Sequence, residues 1–202
     1  MQTIDELMTD DYRHEQPAKL ADTHRTVLRG LFEDASNFDL RYVPELDRVA
    51  EISAALKTLG VSVVLTSGTF DLIHQGHSLY LEAARELGGF LIVGVDSDEK
   101  VRARKGPNRP IIPEDERLLM VTHQRGVGVV TLKHAWHPKW ALIKAVRPDV
   151  LVATADTYQP EEIEALTAGP CGRVEVMARM ATISTSNRLR QVQTSHSNPA
   201  PK

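Results

Sequence analysis

The stretch VSVVLTSGTFDLIHQGHSLYLEAARELGGFLIVGVDS, residues 61–97, decides how the rest of the chain is read. Its first seven residues, VSVVLTS (61–67), are β-branched and almost entirely apolar, the pattern of a strand covered on both faces. HSLYLEAARELG (77–88) has helical character, and FLIVGVDS (90–97) is a second apolar run. Strand, helix and strand in so short a span form a right-handed βαβ unit, which makes the two strands parallel.

The alternation continues outward in both directions. Upstream, VPELDRVAEISAALKTLG (43–60) sets Leu46, Val49, Ile52 and Leu56 at helical spacing and stops at Gly60. Downstream, PEDERLLMVTHQR (113–125) opens a helix on Pro113, and VGVVTL (127–132) is a third strand. HPKWALIKAVR (137–147) is expected to be helical, DVLVAT (149–154) a fourth strand and QPEEIEALTAG (159–169) a helix. RVEVMAR (173–179) is a fifth strand, and STSNRLRQVQ (184–193) a closing helix with a Ser/Thr start. Five strands separated by helices predict an α/β fold: a Rossmann-like, doubly wound, mainly parallel five-stranded sheet with helices on both faces. Ligands of such sheets bind at the C-terminal ends of the strands, near the point where strand order reverses. The turn after the first strand is therefore the expected mouth of a site.

Length and composition narrow the function classes. A chain of 202 residues favours one domain with its own core. Residues 1–40 are polar with weak periodicity and are read as an N-terminal appendage, residues 41–193 as the domain, and the Ser- and Pro-rich 194–202 as a disordered tail. A formal net charge of −3 gives no electrostatic case for nucleic acid as a partner. The single cysteine, Cys171, excludes an internal disulfide framework and a Cys-rich zinc site. The acidic start, MQTIDELMTDDYRHEQ, has no apolar core of the kind a signal peptide needs. No apolar run approaches the roughly 20 residues of a membrane span. A cytoplasmic protein with no membrane partner is expected.

Within the decisive stretch, His74 and His77 bracket Gly76 where the first strand gives way to a helix. Three readings compete. As metal ligands the histidines would need a completing set, for which only Asp71 is near. As structural residues they would cap the helix or fill the core. As phosphate-handling groups they would work with the helix start, whose free N–H groups and positive dipole end suit an anion. Gly76 lets a group approach the backbone closely. Imidazoles placed there can donate hydrogen bonds to phosphoryl oxygens as charge builds. The pairing with glycine at this junction favours the third reading and no resident metal ligand set.

The same residues carry a resemblance. GTFDLIHQGHSLYLEAA (68–84) resembles the HxGH signature of the nucleotidyltransferase superfamily with cytidylyltransferase-like domains. VGVDSDEKVRARKGPNRPIIPEDERLLMV (93–121) resembles the family segment with a lysine, then RPI, then an arginine on the next helix. RPDVLV (147–152) resembles its fourth strand, and ISTSNRLR (183–190) its ISTT-type segment. Four ordered segments span about residues 61–192. Among subfamilies the chain looks closest to the adenylyltransferase domain of ADP-heptose synthesis, to glycerol-phosphate cytidylyltransferase and to archaeal FAD synthase. The resemblance implies that a phosphate oxygen of a small phosphorylated acceptor, a sugar or polyol phosphate, attacks the α-phosphorus of ATP or CTP. Mg2+ assists and pyrophosphate leaves, with no enzyme nucleophile. It also implies a homodimer.

By the same resemblance His74 and His77 contact the triphosphate, with Lys105 on the phosphates, and these three are the expected catalytic residues. Thr69 and Phe70 line the nucleotide site through their backbone, and Asp71 orients the turn. KVRARKGPNRP (100–110) is read as a basic loop after the second strand, carrying Lys100, Arg102, Arg104, Lys105 and Arg109. Arg117 occupies the position of the family arginine, with an exposed ion-pair residue as the plainer reading. Ser184, Thr185 and Ser186 stand at a helix start, where an N-cap and a phosphate cradle are compatible roles. Arg188 or Arg190 could add charge, and HAWH (134–137) is read as a surface loop within reach of the acceptor. One departure is VATADTYQ (152–159), where relatives carry a lysine and glycines before the acidic residue. Asp156 keeps the acidic position and is a candidate for the base or the acceptor. ATP and CTP both stay open, as do a flavin-phosphate acceptor and a non-catalytic nucleotide sensor.

Overall fold

The computed structural model describes residues 38–178. Ser184, Thr185, Ser186, Arg188, Arg190, the closing helix and most of the N-terminal appendage lie outside the described residues. The elements run α1 (Phe38–Arg41), α2 (Leu46–Thr58), β1 (Val63–Gly68), α3 (Gln75–Glu86), β2 (Phe90–Asp96) and α4 (Asp98–Lys105). They continue with α5 (Glu114–Thr122), β3 (Val127–Lys133), α6 (Ala141–Val146), β4 (Val150–Thr154), α7 (Pro160–Ala168) and β5 (Arg173–Met177).

The five strands form one sheet in the order β3-β2-β1-β4-β5, and every pairing is parallel. The strands are apolar on both faces because each face is covered. Val64 and Leu91 belong to a core shared with Leu81 and Ala84 of α3 and with Leu118 and Val121 of α5. Their neighbours Leu65 and Ile92 point the other way, into a core with Val49 of α2, Leu142 and Ile143 of α6 and Leu166 of α7. Each such fully buried side chain contributes roughly 1.5–3 kcal/mol of hydrophobic stabilisation. Phe38 of α1 stacks on Tyr42 at 5.1 Å between ring centroids, and both pack against the first of these cores.

The expected doubly wound sheet is present, and strand order reverses between β1 and β4, which places a crevice at their C-terminal ends. Two local expectations are corrected. The basic run is mostly helical: residues 98–105 form α4, and only Gly106 onward is loop. Ser97 caps α4 by accepting from the Lys100 N–H at 3.2 Å. Asp98 and Glu99 sit in its first turn and Arg102, Arg104 and Lys105 in its last, each charge opposing the dipole end it faces. The helix expected over 137–147 begins only at Ala141, because Trp140 adopts a left-handed conformation at φ 64°. Residues 134–140 are instead a folded loop at the end of β3. No helix among the described residues is long and apolar enough to cross a membrane.

Candidate active site

β1 ends in a turn under backbone strain. Phe70 and Leu72 both have positive φ, 52° and 51°, which costs a non-glycine residue energy and is retained where the surroundings enforce it. Buried Asp71 supplies part of that enforcement. Its carboxylate accepts from the backbone N–H groups of Ile111 and Ile112 at 3.0–3.1 Å and pairs with Arg109 at 2.7 Å. Asp71 thus ties the β1 turn to the loop before α5, consistent with the expected orienting role.

The turn delivers both histidines to the start of α3. His74 is the N-cap, and its Nδ1 accepts from the Gly76 N–H at 3.1 Å. The Nδ1 of His77 accepts from the His74 N–H at 3.4 Å, which completes a reciprocal capping box. The two rings stack at 4.1 Å, and Phe70 lies 5.6 Å from His77. Capping therefore belongs to both residues, through Nδ1 in each case. Where such a ring is neutral, with Nδ1 occupied as an acceptor, its proton lies on Nε2.

Burial first, then neighbouring His74 and Lys105, push the His77 pKa down to about 4. His77 is accordingly neutral at pH 7. The unfolded chain, with an ordinary histidine pKa of about 6.5, takes up the proton first, so this group's contribution to stability falls as pH drops from about 6.5 toward 4. An NMR titration is expected to place the His77 midpoint near 4 in the free protein. A triphosphate bound beside the ring would raise it; a midpoint near 6.5 in the free protein would contradict the buried, capped placement.

Around these histidines a cavity of about 780 Å³ opens at the strand ends. It is lined by Ser67 to Asp71 from the β1 end, by His74, Gly76, His77 and Tyr80 from α3, and by Lys100, Arg104 and Lys105 from α4. Asp96, Arg109, Lys133, the segment from His137 to Ile143, Thr154 and Asp156 to Tyr158 complete the wall. Six lysines and arginines face it against three aspartates, a cationic lining in a chain of net charge −3. Burial, reinforced by Arg104 and Arg109, lowers the pKa of Lys105. A bound anion would relieve that repulsion.

Asp96, at the end of β2, is held between two cations, Arg104 at 2.8 Å and Lys133 at 3.2 Å. Burial pushes its carboxyl up, but Lys133 and Arg104 outweigh it and hold the pKa below the usual carboxylate range. One carboxylate between two cations leaves net positive charge facing the cavity. No three metal-ligating side chains converge among the described residues. Of the lining aspartates, Asp71 is held by Arg109 and two backbone N–H groups, and Asp96 lies between Arg104 and Lys133, so these two carboxylates are already charge-paired.

Of the residues expected from the sequence, the cavity brings together Thr69, Phe70, His74, Gly76, His77, Lys105 and Asp156. Arg102 is turned away and pairs with Asp98 at 3.4 Å. Arg117 lines no part of the cavity and is not an exposed ion-pair residue either. It is fully buried and donates to the carbonyls of Thr69 at 2.6 Å, Asp96 at 2.8 Å and Ile112 at 2.9 Å. Its second terminal nitrogen pairs with Asp98 at 2.6 Å. It braces the cavity floor from below. Sequence reading passed over Asp96, Lys133, Tyr80, Trp140 and Tyr158. The first two carried a signal: each is a charged residue that ends an otherwise apolar strand at the edge where ligands bind.

Residues 65–194 match the family described as cytidylyltransferase-like. The bifunctional protein HldE of Trichlorobacter lovleyi is 42% identical over 146 residues, covering 71% of this chain and 29% of that protein. HldE of Geotalea uraniireducens is 38% identical over 154 residues, covering 75% of this chain and 31% of that protein. The chain thus spans under a third of the length of these relatives. The pantoate–β-alanine ligase of Francisella tularensis shares the fold, with a TM-score of 0.50 at 12% identity, covering 69% of this chain and 67% of that one. With its family segment running from β1 through the histidine turn and the cationic wall, this chain belongs to the cytidylyltransferase-like family.

Proposed function

We propose that the chain is a nucleotidyltransferase that moves AMP or CMP from ATP or CTP onto a phosphorylated small molecule. The HldE relatives and the resemblance to ADP-heptose synthesis favour a sugar phosphate as acceptor and ATP as donor. A phosphate oxygen of the acceptor forms a bond to the α-phosphorus, the bond from that phosphorus to the β-bridging oxygen breaks, and pyrophosphate carries away the electron pair. The observation that supports this best is the interlocked histidine pair, whose Nε2 donors share a cationic cavity with Lys105.

In this reading His74 and His77 donate to the α-phosphate oxygens, where negative charge accumulates in the transition state. Lys105 and Arg109 meet the leaving pyrophosphate. The backbone of Thr69 and Phe70 borders the nucleotide, and Asp156 sits at the end of β4 beside the base or the acceptor. Magnesium, bound on the nucleotide's phosphates, would supply further charge neutralisation. Transfer needs no acid or nucleophile from the protein, only donors already in place. A screen of ATP and CTP against sugar phosphates, polyol phosphates and FMN, read as pyrophosphate release, tests the proposal. Release that requires both a nucleotide and an acceptor is expected. Tight nucleotide binding with no release for any acceptor would instead favour a sensor.

A further inference from the structure

Trp136 is 73% exposed, whereas tryptophan is among the most buried side chains on average. It is nevertheless well fixed. Its ring stacks on His134 with centroids 5.2 Å apart and planes 14° apart, and meets the edge of His137 at 4.2 Å. The loop beneath is closed in both directions. The His134 N–H donates to Nδ1 of His137, and the His137 N–H donates to the His134 carbonyl, each at 3.3 Å. That bond leaves the proton of the neutral His137 ring on Nε2, and His137 lines the cavity. An ordered indole thus stands at the cavity rim with a hydrogen-bond donor inside it.

Lys133 links this rim to the histidine turn. It ends β3, two strands from β1 and so about 10 Å away at the usual strand spacing, yet its ammonium donates to Ser67 of β1 at 3.0 Å. It crosses β2 over Gly94, where a Cβ would lie 2.7 Å from the Lys133 Cδ. Glycine at that position is what lets the side chain through. The ammonium also pairs with Asp96 at 3.2 Å, and Lys133 lines the cavity. A phosphate held by Lys133 would therefore lie next to the end of β1, in the same cavity that His137 lines, with Trp136 packed on His137.

We propose that Lys133, His137 and Trp136 form the acceptor subsite, and that it takes a phosphorylated molecule with a flat ring face, phosphate inward on Lys133 and ring across the indole. The subsite rests on the nucleotidyltransferase reading for what happens after binding, not for binding itself. An apolar ring face suits the open indole surface, and an open-chain polyol phosphate offers none. A sugar ring and a flavin ring both supply such a face, so both are probed.

Calorimetric titrations of the full chain with α-D-glucose 1-phosphate, FMN, glycerol 3-phosphate and glucose test the subsite. One ring-bearing phosphate is expected to bind at least tenfold tighter than glycerol 3-phosphate, and glucose at least tenfold weaker than its phosphate. Trp136→Ala should raise the Kd of that ring phosphate at least tenfold while leaving the Kd values of ATP and glycerol 3-phosphate within twofold. Trp136→Phe should recover most of the loss, which a merely structural role would not predict. Lys133→Met should weaken ring and polyol phosphates alike. Equal affinity for ring and open-chain phosphates, no binding of any of them, or indifference to Trp136→Ala would overturn the subsite. Ring-phosphate binding that depends on Trp136 with no pyrophosphate release would sink the transferase reading and leave the subsite standing. Release from glycerol 3-phosphate regardless of Trp136 would do the reverse.

Discussion

Arg117→Met is expected to lower the thermal midpoint by about 10 °C. The side chain is fully buried and joins three backbone segments through the carbonyls of Thr69, Asp96 and Ile112, with Asp98 as its charge partner. Methionine fills much of the volume but satisfies none of these acceptors, and it leaves Asp98 without its cation at that position. Removing one member of a buried ion pair costs about 3–5 kcal/mol. At this chain length each kcal/mol shifts the midpoint by roughly 2–4 °C. Arg117→Lys should recover only part of the loss, because one ammonium cannot reach acceptors arranged for a planar fork. A melting curve checks both. A shift under about 2 °C for methionine would show that the bracing is dispensable.

The second large effect concerns chemistry rather than folding. His74→Asn keeps a favoured N-cap, since the asparagine oxygen can accept from the helix N–H groups as Nδ1 of His74 does. It removes the Nε2 donor. Turnover should fall about 10²–10³-fold, the loss seen when one preorganised donor to a transition-state charge is deleted. The melting midpoint should stay close to that of the unaltered chain. His77→Ala should reduce turnover by a similar factor but also cost up to about 1 kcal/mol, because half of the capping box goes with it. Pyrophosphate release and thermal melting, measured on the same samples, separate the two contributions. Near-normal turnover in both variants would remove the histidines from the mechanism.

How much of this was legible in the sequence depended on whether the signal was local. The strands were legible because a strand covered on both faces must be apolar throughout, as 63–67 and 91–95 largely are. The site's location followed from topology, and the histidine turn from its own residues. Helix α4 was hidden because Val101 is its only buried residue, so no apolar stripe marks it. Its cap at Ser97 and its ordered charges were the available clues. Residues 137–140 were misread as the start of a helix because HPKWALIKAVR has helical spacing that the left-handed Trp140 interrupts. The resemblance put Arg117 at the position of the family arginine, and the charged end of an apolar strand marked Lys133, but the partners that either side chain reaches were not legible. An arginine in PEDERL looks solvent-facing until the distant carbonyls of Thr69 and Asp96 converge on it, and Lys133 enters the site only because Gly94, on another strand, leaves room.

The reciprocal capping of His74 and His77 has one more consequence. A histidine that shuttles protons must accept one and later return it, and a protonated imidazole has no acceptor nitrogen left. For either ring that would set a new N–H against the backbone N–H it now receives. Capping through Nδ1 therefore opposes protonation, in the same direction as the burial that lowers the His77 pKa. In the proposed transfer such donors would have nothing to reset between turnovers, because they keep the same proton throughout.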